Sequence, residues 1–199
     1  MAAALGMPGE LEAAFAAALT GTITRIDAGR LAGEYFAGVA GLGFDSEVAR
    51  HAQGVRLLRG RAIYVYSVLR ALGSFRPPTL TLRSDGGDYH GPAMLVAFGN
   101  IHRYGGGVAI APDARPDDGL LDVVIVGAVS KLELLRVFPR AYRGAHVPHA
   151  SIAILRARHL EVALDRPLAV YGDGEAMAEV GPAGATVELI PRALAVVRP

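Results

Sequence analysis

Glycine and proline recur throughout this sequence and constrain its fold more than any other feature. The 199 residues include 25 glycines and 12 prolines, spread along the chain. Both residues interrupt regular helices and favour turns. The pattern therefore predicts many turns between strands, as in a β-rich fold, rather than a helix bundle. Apolar residues make up 52% of the chain and charged residues 20%, which excludes intrinsic disorder.

Three absences in the sequence narrow the class of protein further. The chain has no cysteine, which excludes disulfides, Cys-ligated zinc, iron–sulfur clusters and a thiol nucleophile. No apolar run approaches the roughly 18 residues of a membrane span. The Ala-rich start, Met1–Leu19, lacks a basic region and contains Glu10 and Glu12, so it does not resemble a signal peptide. We expect a cytoplasmic protein.

The net charge is only +1, but the basic residues are unevenly distributed. No acidic residue lies between Glu47 and Asp85, and seven arginines do: Arg50, Arg56, Arg59, Arg61, Arg70, Arg76 and Arg83. This stretch is either a cationic face toward phosphate or anionic lipid, or a solvated surface in an Arg-rich protein. A net charge near zero argues against nucleic-acid binding.

Hydrophobic periodicity predicts three main helices among many strands. The helices are expected at Pro8–Leu19, at Ala62–Leu72, and from a Ser130–Glu133 capping box to about Tyr142. The Ala62–Leu72 helix is apolar almost all round, so it is either buried, which we expect, or lines an apolar pocket. Phe44–Ser46 could begin a further short helix.

Period-two patterns predict the strands, and Asp85–Asp88 is a strong hairpin turn. The predicted strands are Thr22–Ile26, Glu34–Val39, Thr79–Arg83, Tyr89–Phe98, Leu120–Val126, His159–Leu164, Leu168–Tyr171, Ala185–Ile190 and Ala193–Val197. Gly38, Gly41 and Gly43 are expected to break up any long element. The fold class that follows is α+β and β-rich, a two-sheet antiparallel β-sandwich with a few helices.

Three segments could carry chemistry. Asn100 and Gly105–Gly107 follow a predicted strand, and the glycines would allow close approach of backbone to a ligand. The segment Ala111–Asp122 contains four aspartates, and such loops can bind Mg²⁺. Tyr171–Glu175 places two carboxylates around a glycine at a strand end, a pattern suited to a general base. Spacing alone favours ordinary turns at all three. The six histidines show no zinc-ligand spacing.

Taken together and in order, several segments resemble the diacylglycerol-kinase catalytic superfamily, in its bacterial lipid-kinase branch related to sphingosine and ceramide kinases. They are YFAGVAGLGFDSEV (Tyr35–Val48), GRAIYVYSVLRAL (Gly60–Leu72), AFGNIHRYGGGVAIAPDARPDDGLLDVVIV (Ala97–Val126), YGDGEAM (Tyr171–Met177) and VELIPRALAVVRP (Val187–Pro199). The resemblance covers essentially the whole chain.

Family members begin with a nucleotide-binding domain that bears Gly-Gly-Asp-Gly-Thr and, later, Gly-Thr-Gly-Asn-Asp. This sequence contains neither motif. Residues 1–199 therefore look like a single C-terminal, lipid-accepting domain, inactive alone.

The resemblance also implies roles for individual residues. The family's fold is a two-sheet β-sandwich shared with NAD kinases, and its enzymes transfer the ATP γ-phosphoryl group to a lipid hydroxyl with Mg²⁺. Glu175 matches the proposed proton acceptor, and Asp173 is its close neighbour. Asp118 matches a carboxylate ligand of a structural Mg²⁺, joined by main-chain oxygens at Arg115 and Leu120. The expected partner is a diacylglycerol-like substrate. Peripheral contact with a membrane and assembly into a homodimer are also expected.

Two other functions compete with this one. A kinase of the NAD-kinase type would phosphorylate another acceptor, although the apolar Ala62–Leu72 helix and the GGG…PDDGLLD spacing favour a lipid. A non-catalytic lipid-binding or interaction module would need no nucleotide at all. An upstream, in-frame Gly-Gly-Asp-Gly-Thr would favour a kinase.

Overall fold

The computed structural model describes residues 2–53, 61–104 and 107–199. Arg56, Arg59, Gly105 and Gly106, which were singled out above, lie outside the described residues. The hypothesis that Gly105–Gly107 allow close approach of backbone to a ligand therefore stays a prediction.

Within the described residues, four α-helices and eleven strands follow a short 3₁₀ helix, Ala2–Leu5. The helices are α1 (Leu11–Thr20), α2 (Phe44–Gln53), α3 (Arg61–Ser74) and α4 (Lys131–Ala141). The strands are β1 (Thr22–Leu31), β2 (Glu34–Phe36), β3 (Val39–Gly43), β4 (Thr79–Ser84), β5 (Tyr89–Gly99), β6 (Leu121–Gly127), β7 (Ile152–Ala157), β8 (His159–Leu164), β9 (Leu168–Gly172), β10 (Glu175–Val180) and β11 (Ala185–Arg198).

The strands form two antiparallel sheets that share the long strand β5. The first sheet runs β2-β1-β11-β8-β4 and ends on the first residues of β5, from Tyr89 to Pro92. The second sheet runs β7-β6-β5-β3-β9-β10 and uses the later residues of β5, from Ala93 to Gly99. The predicted Asp85–Asp88 turn joins β4 to β5. Because β5 passes from one sheet to the other, it links them covalently.

The main core lies between the two sheets. Its buried side chains alternate along the strands, as in β4, where Leu80 and Leu82 point inward and Thr79 and Thr81 do not. The second sheet contributes residues such as Phe98 and Ile125 to the same cluster. The predicted α+β fold, a two-sheet antiparallel β-sandwich with a few helices, is confirmed.

A second layer covers the other face of the second sheet. Two further apolar clusters lie there, one around Ile110 and Val124 and one around Phe44, Leu72 and Met94. Helices α2, α3 and α4 contribute side chains to these clusters. This layer, between helices and sheet, contains the cavity described below.

No long element spans the glycines at 38, 41 and 43, as expected: β2 ends at Phe36, and Gly41 and Gly43 belong to the five-residue strand β3, which lies buried between β5 and β9. One strand prediction was wrong because tertiary contacts override local sequence. The two strands predicted at 185–190 and 193–197 are one strand, β11, with an irregularity at Arg192 (φ +54°). Strands β7 and β10 were not predicted.

The expectation that the Ala62–Leu72 helix is buried was also wrong. Helix α3 buries Ser67, Ala71 and Leu72, but Tyr66 and Leu69 are exposed. The helix therefore packs on the surface with one face outward, although its sequence is apolar almost all round.

Candidate functional site

The Asp-Gly-Glu segment forms the tight hairpin turn between β9 and β10. Asp173 and Gly174 both have positive φ, +52° and +97°, as a turn with two left-handed residues requires. Glu175 is the first residue of β10 and pairs with Gly172 of β9. The turn thus presents two carboxylates at one end of the second sheet.

Asp173 holds the chain segment that enters β3. Its carboxylate accepts hydrogen bonds from the backbone N–H groups of Ala37 (2.7 Å), Gly38 (3.0 Å) and Val39 (3.2 Å). Its own N–H donates to the carbonyl of Val39 (3.1 Å). A Cβ at position 38 would overlap the carboxylate, so glycine is needed there. Asp173 therefore orients the turn from which Glu175 projects.

Glu175 is free to act on a ligand. Its side chain is exposed, and it forms no hydrogen bond or ion pair with any residue that the structure describes. A carboxylate in this state can accept a proton from a hydroxyl group that is brought against it. The structure places Glu175 and Asp173 side by side, as the sequence predicts, but gives them different environments.

The acidic loop of residues 113–122 is partly neutralised by an arginine from β7. One Asp118 oxygen accepts a hydrogen bond from the Leu120 N–H (3.1 Å), and the other pairs with Arg156. Asp122 is buried, and one of its oxygens accepts no hydrogen bond and lies 3.6 Å from Arg156 Nε. Burial, above all, raises the pKa of Asp122, and Arg156 opposes that shift.

A hard cation fits this loop only in part. In the described segments, no group of three or more His, Asp or Glu side chains is arranged to hold a metal ion. The oxygen of Asp122 that accepts no hydrogen bond shows that negative charge here is incompletely compensated. Magnesium ions accept carboxylate, carbonyl and water oxygens. A site at Asp118 would therefore depend on main-chain oxygens, as at Arg115 and Leu120, and would compete with Arg156.

A buried polar pair connects the acidic loop to the Asp-Gly-Glu turn. The Asp27 carboxylate accepts hydrogen bonds from the N–H groups of Gly119 (2.9 Å) and Arg192 (2.7 Å). Asn100 donates through its amide nitrogen to the carbonyls of Asp27 and Ala37, both at 2.8 Å. Asp173 binds the N–H group of the same Ala37. These contacts form a continuous path of hydrogen bonds from the acidic loop to the Asp-Gly-Glu turn, which we call the polar path.

An apolar cavity of about 60 Å³ lies between the helical layer and the second sheet. Its walls come mainly from α2, β5 and α4, with residues such as Phe44, Met94 and Phe138. None of the described side chains of α3 lines it. Val68, Ala71 and Leu72 of α3 pack instead against the cavity-lining residues Phe44, Val48 and Met94, and the hypothesis that the Ala62–Leu72 helix forms the wall of a lipid pocket stays a prediction.

Three polar side chains reach this apolar cavity. Asp45 accepts hydrogen bonds from the Ser46 N–H (2.8 Å) and the Tyr104 hydroxyl (3.2 Å), and burial raises its pKa to about 6. His146 is buried, its Nε2 contacts the carbonyl of Ile110 (3.0 Å), and its Nδ1 has no partner among the described residues. Burial lowers the pKa of His146, so its neutral form is favoured. One boundary of the cavity can thus recognise a polar group.

Strand β3 connects the turn to the cavity. Asp173 holds the strand's entry at Gly38, and the Asp45 carboxylate lies against Gly41, where a Cβ would overlap it. Gly38 and Gly41 are three residues apart, so an extended chain places them about 10 Å from each other. A molecule with a polar end at the turn and an apolar tail in the cavity would span this distance.

Sequence reasoning missed Asp27 and Asp45. Asp27 is a single aspartate within a strand, where aspartate is uncommon, and that is the only local signal. Asp45 was read as part of a possible helix start, which α2 confirms, but nothing in the sequence indicated its position in a cavity. Asn100 was singled out, and the structure shows its amide at the centre of the polar path.

The two-sheet antiparallel sandwich places this chain in the class of NAD-kinase-like β-sandwich domains. A family model described as "YegS C-terminal NAD kinase beta sandwich-like domain" matches residues 38–198. The chain belongs to this family.

Known relatives and one solved structure agree with this assignment. The diacylglycerol kinase of Mycobacterium tuberculosis (strain ATCC 25618 / H37Rv) is 36% identical over 87% of this chain and 57% of its own length. That of Bacillus subtilis (strain 168) is 30% identical over 87% of this chain and 58% of its own. A diacylglycerol kinase structure from Bacillus anthracis str. Sterne has the same fold (TM-score 0.71, 17% identity), covering all of this chain and 62% of that one. The chain spans little more than half the length of these two sequence relatives.

Proposed function

We propose that this chain is the lipid-accepting part of a kinase that transfers the γ-phosphoryl group of ATP to the hydroxyl of a diacylglycerol-like lipid. The observation that carries the proposal is the apolar cavity with polar groups at its boundary, linked through β3 to the Asp-Gly-Glu turn. A lipid with one free hydroxyl combines the same two features. The names of the relatives support the same substrate class.

Glu175 is the proposed general base. The lipid oxygen attacks the γ-phosphorus, the bond from that phosphorus to the bridging oxygen breaks, and ADP leaves with the bonding electrons. The hydroxyl proton passes to the Glu175 carboxylate. Asp173, which is occupied by three backbone N–H groups, positions the turn and is not itself the base. Phosphoryl transfer depends chiefly on such positioning and on charge stabilisation.

Magnesium has a proposed structural role away from this proton transfer. Asp118, with main-chain oxygens of Arg115 and Leu120, would hold the ion, which would supply positive charge to the acidic loop. Asp27 accepts a hydrogen bond from the N–H of Gly119 in this loop. A rigid loop would therefore also hold Asp27 and the hydrogen bonds that lead from it toward the turn.

The experiment uses a fusion of this chain to the part of the M. tuberculosis relative that lies outside the matched region. We expect ATP-dependent phosphorylation of diacylglycerol dispersed in detergent micelles. Glu175→Gln preserves size but removes basicity, so kcat should fall about 10²–10⁴-fold with little change in KM for ATP. Glu179→Gln, an exposed glutamate on the same strand β10, is the matched control and should be nearly silent. A Glu175→Gln enzyme with near-normal kcat would contradict the assignment of the base.

Lipid binding can be measured separately on the 199-residue chain. Val137 lines the cavity, so Val137→Phe narrows it and should weaken binding of a short-chain fluorescent diacylglycerol about tenfold or more, the loss of one to two buried methylene contacts. Leu19→Phe on the exposed face of α1 is the control. Equal binding by both variants would place the lipid outside this cavity.

A further inference from the structure

Asp45 brings a negative charge to the wall of the apolar cavity. Among the described residues that line the cavity, it is the only acidic side chain, and no lysine or arginine is present. The other polar side chains in the wall are Tyr104 and His146. A carboxylate in an apolar space without a cation is costly to keep ionised.

The elements around Asp45 supply neutral groups to its carboxylate. The Ser46 N–H (2.8 Å) and the Tyr104 hydroxyl (3.2 Å) donate hydrogen bonds to it, and β3 contributes the backbone at Gly41. The described side chains that α3 and α4 place in this layer are apolar: Val68, Ala71, Leu72, Leu134, Val137 and Phe138. The charged side chains of α2 pair with one another: Glu47, Arg50 and His51.

A lipid tail that enters the cavity from the Asp-Gly-Glu turn would pass this carboxylate. Asp173 holds β3 at Gly38, and Asp45 lies against Gly41, about 10 Å further along the strand. Asp45 is partly exposed, and an apolar tail in the cavity would displace water from it. An ionised carboxylate that loses water without gaining a partner opposes the tail, whereas a neutral carboxyl group opposes it far less.

We propose that the Asp45 carboxyl group is a proton-dependent switch, which admits an apolar lipid tail to the cavity when it is protonated and excludes the tail when it is ionised. This rests on the proposed function, in which the cavity holds the tail of the acceptor lipid. The proton comes from solvent and binds a carboxylate oxygen, and no other bond changes. Burial raises the pKa of Asp45 to about 6, so the switch operates as the pH rises above that value.

His146 is the other titratable group with a large effect of burial in this cavity, and its effect has the opposite sign. Burial lowers the pKa of His146, so its neutral form is favoured above about pH 6. Protonation of His146 at lower pH would add a positive charge and weaken binding as the pH falls. Binding that weakens as the pH rises therefore reports Asp45 and not His146.

The test is fluorescence titration of the 199-residue chain with a pyrene-labelled short-chain diacylglycerol, which has no titratable group, at pH 6, 7 and 8. If only the protonated form binds, the apparent Kd rises as that form becomes scarce, about fivefold at pH 7 and about 50-fold at pH 8 relative to pH 6. Asp45→Asn keeps the shape and removes the charge, so it should bind within about twofold at all three values. Asp88→Asn, at an exposed aspartate between β4 and β5, is the matched control and should follow the unmodified chain.

Two further measurements test the proton itself. The Tyr104 hydroxyl lowers the pKa of Asp45, so Tyr104→Phe should move the loss of binding to higher pH. Calorimetry at pH 7, in buffers with different enthalpies of ionisation, should show uptake of about 0.9 proton per bound lipid. Asp45→Asn should take up none.

The outcomes separate the switch from the lipid site. Equal binding by the unmodified chain at the three pH values would overturn the switch alone, as would a pH dependence that persists in Asp45→Asn. Stronger binding at pH 8 than at pH 6 would also overturn it and would indicate that ionised Asp45 accepts a hydrogen bond from the lipid. No binding by any of these proteins at any pH, with folding checked by circular dichroism, would reject the proposed lipid site together with the switch.

Discussion

Asp173 shows how a single carboxylate can stabilise a turn by binding backbone rather than substrate. Three N–H groups of residues 37–39 donate to it, and hydrogen bonds to a charged group are stronger than those between neutral groups. Its neighbour Glu175 has no such partner among the described residues. Two carboxylates separated by one glycine therefore have different environments, because the described part of the fold supplies donors to only one of them.

Removing the Asp173 carboxylate should destabilise the chain. We expect Asp173→Ala to lower the free energy of unfolding by about 1.5–3 kcal/mol, because three N–H groups lose their acceptor. Asp173→Asn keeps one oxygen and tolerates the positive φ, so its loss should be smaller. Urea unfolding measures both. Equal stability of Asp173→Ala and the unmodified chain would show that these hydrogen bonds contribute nothing net.

Asp45 should make stability depend on pH in the acidic range. Its pKa is about 6 in the folded chain against 3.8 for an ordinary aspartate, chiefly through burial. The folded state therefore holds the proton more tightly than the unfolded state. The stabilisation is complete below about pH 4 and is lost as the pH rises through about 6.

Asp45→Asn removes this titration while keeping the shape of the side chain. We expect its free energy of unfolding to exceed that of the unmodified chain above about pH 6, and to lack the decline between about pH 4 and 6. Urea unfolding across this range measures the difference. Asp113→Asn, at an exposed aspartate, is the control and should follow the unmodified chain. Parallel pH profiles for Asp45→Asn and the unmodified chain would contradict the raised pKa.

At the scale of elements, α4 is an amphipathic helix whose inner side, with Leu134, Val137 and Phe138, lines the cavity. Half of the predicted capping box is present: Ser130 accepts a hydrogen bond at Oγ from the Glu133 N–H (3.2 Å), whereas the Glu133 carboxylate lies 3.2 Å from His149 Nε2. The cap fixes the first turn of α4, which leads into the cavity-lining residue Leu134.

Loss of the cap should loosen α4 specifically. Ser130→Ala should cost about 1 kcal/mol in the free energy of unfolding and increase amide exchange in the first turn of α4. Ser74→Ala, in an exposed serine that ends α3, is the control and should stay within about 0.5 kcal/mol. Unchanged exchange at Leu132–Leu134 would show that the cap does not hold the helix.

The acidic loop should respond to magnesium in a way that depends on Arg156. If Mg²⁺ binds at Asp118, the ion stabilises the chain by about 1.4 kcal/mol per tenfold excess over Kd. Asp118→Ala should remove this stabilisation, and Arg156→Gln should produce it at a lower Mg²⁺ concentration, because the competing cation is gone. Thermal melting at several Mg²⁺ concentrations measures both effects. If Mg²⁺ does not change the melting temperature of the unmodified chain or of either variant, Asp118 is a turn residue only.

At the scale of the whole molecule, the described part of the chain contains the proposed base, the acidic loop and the apolar cavity. No helix of the described residues is long and apolar enough to cross a membrane, and the sequence lacks the family's two nucleotide motifs. The sandwich, its polar path and its cavity form one compact body built on β5. In the proposed function, this chain binds the lipid and the nucleotide motifs lie elsewhere in the kinase.

We therefore expect negligible ATP affinity for the 199-residue chain alone. Isothermal titration calorimetry with and without Mg²⁺ measures this, and the fusion described above is the positive control. Micromolar binding of ATP to the unfused chain would contradict its assignment as the acceptor part of the kinase.

The sequence by itself determined the fold class, the family and the local elements with strong signals. The Asp85–Asp88 hairpin and the Ser130 cap depend on residues a few positions apart, so local chemistry decides them. The order of the Asp-Asp-Gly and Asp-Gly-Glu segments was sufficient to identify the family. Their roles as base and metal ligand stay predictions.

Only the tertiary structure decided which side chains act together. The contact of Asn100 with Asp27 joins residues 73 positions apart, and that of Asp173 with Ala37 joins residues 136 apart. Burial of β3 despite its glycines, and exposure of α3 despite its apolar sequence, depend on neighbours that no local pattern records. A periodic pattern reports the amphipathicity of one segment, whereas burial and pairing are properties of two or more segments at once. For that reason the cavity and the polar path appear only when the chain is folded.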